Sequence, residues 1–311
     1  MKIVFFGTSD FGIPSLEALK NSPHKILSIV TAPDRPAGRR LKLEPTPVKA
    51  WAVKNKISFL EFQKENSRQC ADALKKLEAD VFVVISFGVI LSKEFLTLPK
   101  LLPLNVHASL LPFYRGPSPM QTALLNGDAE TGVSVMRMAE KLDAGDVLLQ
   151  KKISLAPEDD SQVLSEKLSE LGAQTLLESL KLLETERAVF VPQDEKKVTW
   201  TKKIKKEHGH IDWSSPASQI LNQIRAMAGW PGTFSFYEGK RILIIKASAK
   251  KSERMNAAPG AILTASSAEG ICVAARDHAL SIERLQAEGK KPMKAEDFLK
   301  GFSLKPGSVL E

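Results

Sequence analysis

The side chains of this 311-residue chain best suited to acyl transfer lie in one short run, Asn105-Val106-His107-Ala108-Ser109-Leu110-Leu111-Pro112. If Leu104 to His107 are extended, side chains alternate across the strand, and Asn105 and His107 share a face. An amide and an imidazole side by side can donate hydrogen bonds to the oxyanion that forms when an amine attacks an acyl carbon. One such donor is typically worth about 3 kcal/mol, roughly two decades of rate. A carboxylate partner is available in Leu142-Asp143-Ala144-Gly145-Asp146. From such a glycine-containing loop Asp143 can reach a histidine, orient it and stabilise its protonated form. It can also help move the amine proton, directly or through water. This chemistry calls for no metal. A lone histidine more often fills a core than drives a reaction, and Leu-Asp-Ala-Gly-Asp also describes an ordinary turn, so spacing alone leaves both readings open.

The elements that must position these groups are legible from apolar patterning. Ile3 to Phe6, Ile26 to Val30 and Val81 to Ile85 are continuous apolar runs, with helical sequence at Pro14 to Lys20 and Gln69 to Ala79. Buried strands alternating with helices predict a Rossmann-like, doubly wound parallel α/β sheet. Further strands are expected at Leu104 to Val106 and Val133 to Met138, and helix-period leucines (Leu164, Leu168, Leu171, Leu177, Leu180) close this half. The end of a parallel strand, where Asn105 and His107 fall, is the usual site position in such sheets. Gly7-Thr8-Ser9-Asp10-Phe11-Gly12 is a tight strand-to-helix turn. It lacks the second glycine of a dinucleotide fingerprint and the lysine of a P-loop, which excludes both.

Residues 1–190 are expected to form the catalytic domain and 191–206 a charged linker ending in Lys202-Lys203-Ile204-Lys205-Lys206. Residues 207–311 are expected to form a small OB-like β-barrel. Its strands fall at Phe234–Tyr237, Arg241–Lys246, Ile271–Ala274 and Ala279–Arg284, after a helix that starts with Ser215 as cap and Pro216 at its first position. That helix presents Ile220, Leu221, Ile224 and Met227 on one face and stops at Gly229-Trp230-Pro231-Gly232. The net charge is +8, and Val191 onward carries 20 Lys and Arg against 13 Asp and Glu, so the excess sits in the C-terminal third. A polyanionic partner fits that asymmetry; a solvated basic surface fits it as well. The amino-terminal apolar run is too short for a secretory signal, and no run spans a bilayer. Cys70 and Cys272 have no metal-ligand spacing, and the expectation is a protein with free thiols in a reducing cytosol, with no membrane partner.

The run from Asn105 to Pro112, Arg115-Gly116, Gly127-Asp128-Ala129-Glu130-Thr131-Gly132-Val133-Ser134-Val135 and Leu142 to Asp146 together resemble the folate-dependent formyltransferases. The likeness extends over nearly the whole chain: Thr31 to Arg40 resembles a basic loop beside a tRNA acceptor end, and Ile211-Asp212-Trp213, Ile224-Arg225, Trp230-Pro231-Gly232, Leu285-Gln286 and Gly289-Lys290-Lys291 resemble the C-terminal domain of members that act on charged tRNA. Ser86-Phe87-Gly88 departs from the alanine-tyrosine-glycine usual in the family. The resemblance implies the formyltransferase fold, with Asn105, His107 and Asp143 as catalytic residues and no metal. It implies 10-formyltetrahydrofolate as co-substrate, bordered by Phe87, Gly88, Val89, Ile90, Leu91, Ser109, Leu110, Leu111 and Pro112. It also implies initiator methionyl-tRNA as acceptor, gripped by Arg35, Arg39, Arg40, Lys42, Lys203, Lys205 and Lys206, and a monomer working in translation initiation. A formyltransferase for a small-molecule amine is the alternative within the family, and a catalytically silent RNA-binding protein the alternative outside it. Removing Val191 onward is expected to spare small-amine chemistry and abolish chemistry on tRNA.

Overall fold

The computed structural model describes residues 1–37, 42–63, 66–250 and 257–311, and divides into two compact units. The first comprises Met1–Pro119, Glu130–Ser154 and Ser165–Lys202; the second comprises Met120–Ala129, Leu155–Leu164 and Lys203–Glu311. In chain order the helices are α1 (Ile13–Lys20), α2 (Pro47–Lys54), α3 (Ser67–Lys75), α4 (Lys93–Leu96), α5 (Pro119–Asn126), α6 (Ser161–Glu184), α7 (Ala217–Ala226) and α8 (Ala295–Gly301).

In the first unit the strands are β1 (Lys2–Gly7), β2 (Lys25–Thr31), β3 (Arg35–Ala37), β4 (Lys42–Glu44), β5 (Phe59–Glu61), β6 (Val81–Ile85), β7 (Leu102–His107), β8 (Glu130–Arg137) and β9 (Val147–Ser154). Seven of them form one sheet in the order β5-β2-β1-β6-β7-β8-β9. The five from β5 to β7 are parallel, whereas β8 and β9 run antiparallel to their neighbours. Ile3, Val4, Phe5 and Phe6 are fully buried, as a strand covered on both faces requires. The chain leaves β1 toward β2 on one side and returns through β6 and β7 on the other, so a topological switch lies beside β1. There Thr8 N donates to Ser86 O at 3.2 Å and Thr8 Oγ1 to Phe87 O at 3.0 Å, joining the turn after β1 to the loop after β6.

The sheet thus departs from the all-parallel expectation at one edge. β9 alternates half-buried and exposed positions beyond Leu148, the pattern of an edge strand rather than a continuous apolar run, which is why apolar patterning overlooks it. β5 escapes notice because it is three residues long. Part of the stretch read as a linker also behaves differently. Val191 exchanges both backbone hydrogen bonds with Val147, at 2.8 and 2.9 Å, and residues 199–201 pair with the chain at 112–115. Backbone pairing of isolated residues needs no side-chain periodicity, so the sequence does not announce it.

In the second unit, β10 (Thr233–Tyr237), β11 (Lys240–Lys250), β12 (Ile262–Ser266), β13 (Gly270–Ala274), β14 (Ala279–Ala287) and β15 (Met293–Lys294) form an antiparallel sheet ordered β10-β11-β14-β13-β12, with β15 on β14. The final residues join its edges. Glu311 exchanges backbone hydrogen bonds with Phe236 of β10, Leu310 N donates to Gly260 O, and Ile262 N of β12 donates to Ser308 O. The sheet is thereby closed into a small barrel around Tyr237, Ile242, Ile244, Ile271, Val273, Leu280 and Ile282, capped by Ile220 and Ile224 of α7. Ser215 does not cap α7, and Pro216 is not its first helical residue but sits at the cap position. The free amide of Ala217 is satisfied instead by Asp277 Oδ1 at 2.8 Å, from sixty residues further along.

Candidate active site

Val106 of β7 faces α6, because a Cβ built on Gly172 of that helix would lie 3.1 Å from Val106 Cγ1. Alternation then turns Asn105 and His107 to the opposite face, as the spacing predicts. Among the described residues the Asn105 carboxamide has no hydrogen-bond partner, so its donors are available to a ligand. The His107 ring is buried. Its Nε2 lies 2.9 Å from the carbonyl oxygen of Tyr114, and a carbonyl only accepts, so Nε2 carries a proton. Its Nδ1 faces Asp143 Oδ2 at 3.8 Å, beyond hydrogen-bond reach but well within electrostatic range.

That geometry assigns the two ring edges different work. Nε2 is an anchor, so the expectation that the imidazole donates freely to an oxyanion gives way to a more specific one. With the neutral ring protonated at Nε2, the lone pair lies on Nδ1. A proton can therefore be accepted at Nδ1, and the imidazolium so formed faces the Asp143 carboxylate.

Asp143 is held by its backbone surroundings. Its Oδ2 accepts from Gly116 N at 2.8 Å, and its φ of 49° bends the loop toward His107. Gly145 lets this loop lie flat on the end of β8: a Cβ there would sit 1.7 Å from Arg137 O. Gly116 occupies a φ of 113°, and a Cβ would meet Thr201 Oγ1 at 2.7 Å. Residues 199–201 in turn bracket the segment before it. Arg115 N donates to Thr199 O at 2.9 Å and Thr201 N to Arg115 O at 2.8 Å. Arg115 itself is fully buried, donating from Nε to Gln193 Oε1 at 3.0 Å and from Nη2 to Glu195 Oε1 at 2.7 Å. The hydrogen bond from Arg115 holds the Glu195 carboxyl below the usual range. Gln193, Glu195, Thr199 and Thr201 all fall in the stretch read as linker, and nothing in their types or spacing marks them.

The residues expected to border a folate fall into two groups. Phe87 and Leu91 are core residues, Phe87 stacking edge-on against Phe6 and Phe62 at 5.5 and 5.7 Å, whereas Gly88, Val89 and Ile90 are exposed, Ile90 by 71 %. Ser109 and Leu111 are buried supports, while Leu110 and Pro112 are half-exposed. Ser109 Oγ donates to Phe113 O at 2.6 Å; Ser134 Oγ donates to Ser109 O and accepts from Leu111 N, and Gln150 donates to Leu111 O. Phe113, next along the chain after Pro112, is exposed as well, and so is Leu142 at the start of the Asp143 loop. Gly88, Val89, Ile90, Leu110, Pro112, Phe113 and Leu142 are thus the residues of these segments that keep exposed or half-exposed surface.

Of the expected tRNA contacts, Arg35 is exposed on the β3–β4 hairpin. Lys49 braces that hairpin's base through Asp34 at 2.7 Å and Glu61 at 2.5 Å, and its pKa is raised by those two partners, Asp34 first. Arg39 and Arg40 lie outside the described residues, and of Lys42 only the backbone placement in β4 is described. Lys203, Lys205 and Lys206 are exposed in the second unit, Lys205 near Glu207 at 3.5 Å. Among the described residues no group of three or more His, Cys, Asp or Glu is placed to hold a metal, and no helix is long and apolar enough to cross a membrane.

Residues 1–180 match the profile of the formyl transferase family, and residues 203–303 match the profile of the formyl transferase C-terminal domain. The chain is 39 % identical over 312 residues to a protein of Sulfurihydrogenibium sp. named methionyl-tRNA formyltransferase, covering all of both chains. It is 40 % identical to one of the same name from Caldanaerobacter subterraneus subsp. tengcongensis, again covering all of both. Its fold is similar to that of HypX from Aquifex aeolicus solved in complex with tetrahydrofolic acid, with a TM-score of 0.63 and 18 % identity; all of this chain is covered, and it spans 50 % of that one.

Proposed function

The chain belongs to the formyl transferase family, and from that membership we propose that it transfers the formyl group of 10-formyltetrahydrofolate to the amino group of methionine on initiator methionyl-tRNA. The observation that carries the chemistry is the convergence of an unpartnered amide, a histidine anchored through Nε2 and a carboxylate 3.8 Å from the other ring nitrogen at the rim of the sheet. The folate supplies the formyl group, and the exposed apolar residues after β6 and β7 are the ones that would hold it.

Asn105, His107 and Asp143 divide the reaction. Asn105 donates to the oxygen on which charge develops, a contribution of about 3 kcal/mol for a well-placed donor. His107 accepts the amine proton at Nδ1, because Tyr114 keeps Nε2 protonated, and hands it to the folate nitrogen as the bond from that nitrogen to the formyl carbon breaks. Asp143 stabilises the resulting imidazolium. The exposed Lys203, Lys205 and Lys206, together with Arg35, Arg39, Arg40 and Lys42, bind the polyanionic acceptor. The protein acts as a monomer in the cytoplasm, during translation initiation.

The test offers the protein 10-formyltetrahydrofolate with either charged initiator tRNA or small sugar amines as acceptor. Formylmethionyl-tRNA alone is the expected product; formylation confined to the small amine would reverse the assignment. Truncation serves only if cut at Lys203. A cut at Val191 removes Gln193 and Thr199 from the site and would disable either chemistry.

A further inference from the structure

We propose that Arg115 and Gln193 are positioning residues that form one brace setting the separation between His107 and Asp143; this rests on reading that pair as catalytic. The two contacts that hold the pair flank a single residue. The carbonyl of Tyr114 accepts from His107, the amide of Gly116 donates to Asp143, and Arg115 lies between them. Any movement of the Arg115 backbone therefore shifts both members of the pair.

The side chain of Arg115 closes the ring from the other direction. Its Nε donates to Gln193 Oε1 at 3.0 Å, and Gln193 Nε2 donates to the carbonyls of Asp143 and Gly145 at 2.8 and 2.7 Å. The Gln193 amide has one working orientation. A flipped amide would set its oxygen against two carbonyls and its NH2 against a guanidinium. A circuit results, running His107, Tyr114, Arg115, Gln193, Asp143 and back across the 3.8 Å gap to His107.

Stability alone does not account for the circuit. Arg115 is fully buried, and among the described residues its Nη1 is unpartnered and its one carboxylate partner, Glu195, is exposed. Burying a guanidinium in that state is unfavourable against an apolar side chain of similar volume. A planar fork with fixed donor directions, by contrast, is suited to holding a loop in register.

The test uses the full-length protein with saturating folate and charged initiator tRNA. Gln193→Met removes both loop-holding bonds while keeping the volume, and Gln193→Glu keeps the bond from Arg115 but sets a carboxylate against the two carbonyls. Displacing a catalytic group by about 1 Å costs roughly a hundredfold, so each variant is expected to lose ten- to a hundredfold in kcat with KM for both substrates within about twofold. In an Asp143→Asn background Gln193→Met should cost less than about threefold more, because the brace acts through that carboxylate. The His107 ring 15N signals should shift in Gln193→Met. A folded variant with parental kcat, a rise in KM at unchanged kcat, multiplicative losses in the double variant, or an unmoved ring signal would each overturn the brace. The ring signal reports on it even if the parent formylates nothing, an outcome that would instead sink the catalytic reading of the pair.

Discussion

Replacing Asp143 with asparagine separates charge from geometry at this site. Asparagine keeps an oxygen able to accept from Gly116 N, the 2.8 Å bond that holds the loop, but removes the charge 3.8 Å from His107 Nδ1. With an effective dielectric constant of about 20, a charge pair at that distance interacts by about 4 kcal/mol. If the imidazolium is half developed in the transition state, about half of this is lost, roughly a factor of thirty; full development gives roughly a thousand. Single-turnover formylation with saturating substrates should therefore slow by about thirty- to a thousandfold. KM and melting temperature should stay near the parental values, since no substrate contact and no fold-supporting bond is removed. A loss under about threefold in a well-folded variant would refute the electrostatic role, and a rise in KM at unchanged kcat would make Asp143 a binding residue instead.

Gly145→Ala places a methyl group against Arg137 O and should lift the Asp143 loop, lowering kcat by about a hundredfold; parental turnover would show that the loop is not clamped as described. Replacing both Lys203 and Lys206 with alanine should raise KM for tRNA but not for folate, and flatten the log–log salt dependence by about one for each phosphate no longer neutralised; an unchanged slope would remove them from the interface. The Asp277 carboxyl is lowered chiefly by its bond from Ala217 N, so it stabilises the folded second unit above about pH 4, the unfolded value, and that benefit is lost as pH falls through the lower folded value. Asp277→Ala should accordingly melt below the parent at neutral pH and converge with it in acid; a gap that persists at low pH would contradict the capping role.

Most of the frame was legible because it depends on side-chain patterning. The continuous apolar runs at Ile3, Ile26 and Val81 became β1, β2 and β6, and the alternation of Asn105 and His107 placed both on the face away from α6. What was not legible depends on contacts far apart in sequence. Asp277 caps a helix sixty residues earlier, and Gln193 reaches Asp143 across fifty. Neither has a periodic or compositional signature, and the charge of the surrounding 191–206 segment pointed to a linker. Phe87 shows the same limit: its ring joins the Phe6–Phe62 cluster, a packing that no local pattern announces.

The most direct test is the rate of formyl transfer from 10-formyltetrahydrofolate to charged initiator tRNA by the parent and by Asn105→Ala, compared in a single turnover. The unpartnered amide should be worth about two decades, with both substrates still bound normally. Equal rates in the two proteins, or no formylmethionine from either, would contradict the account.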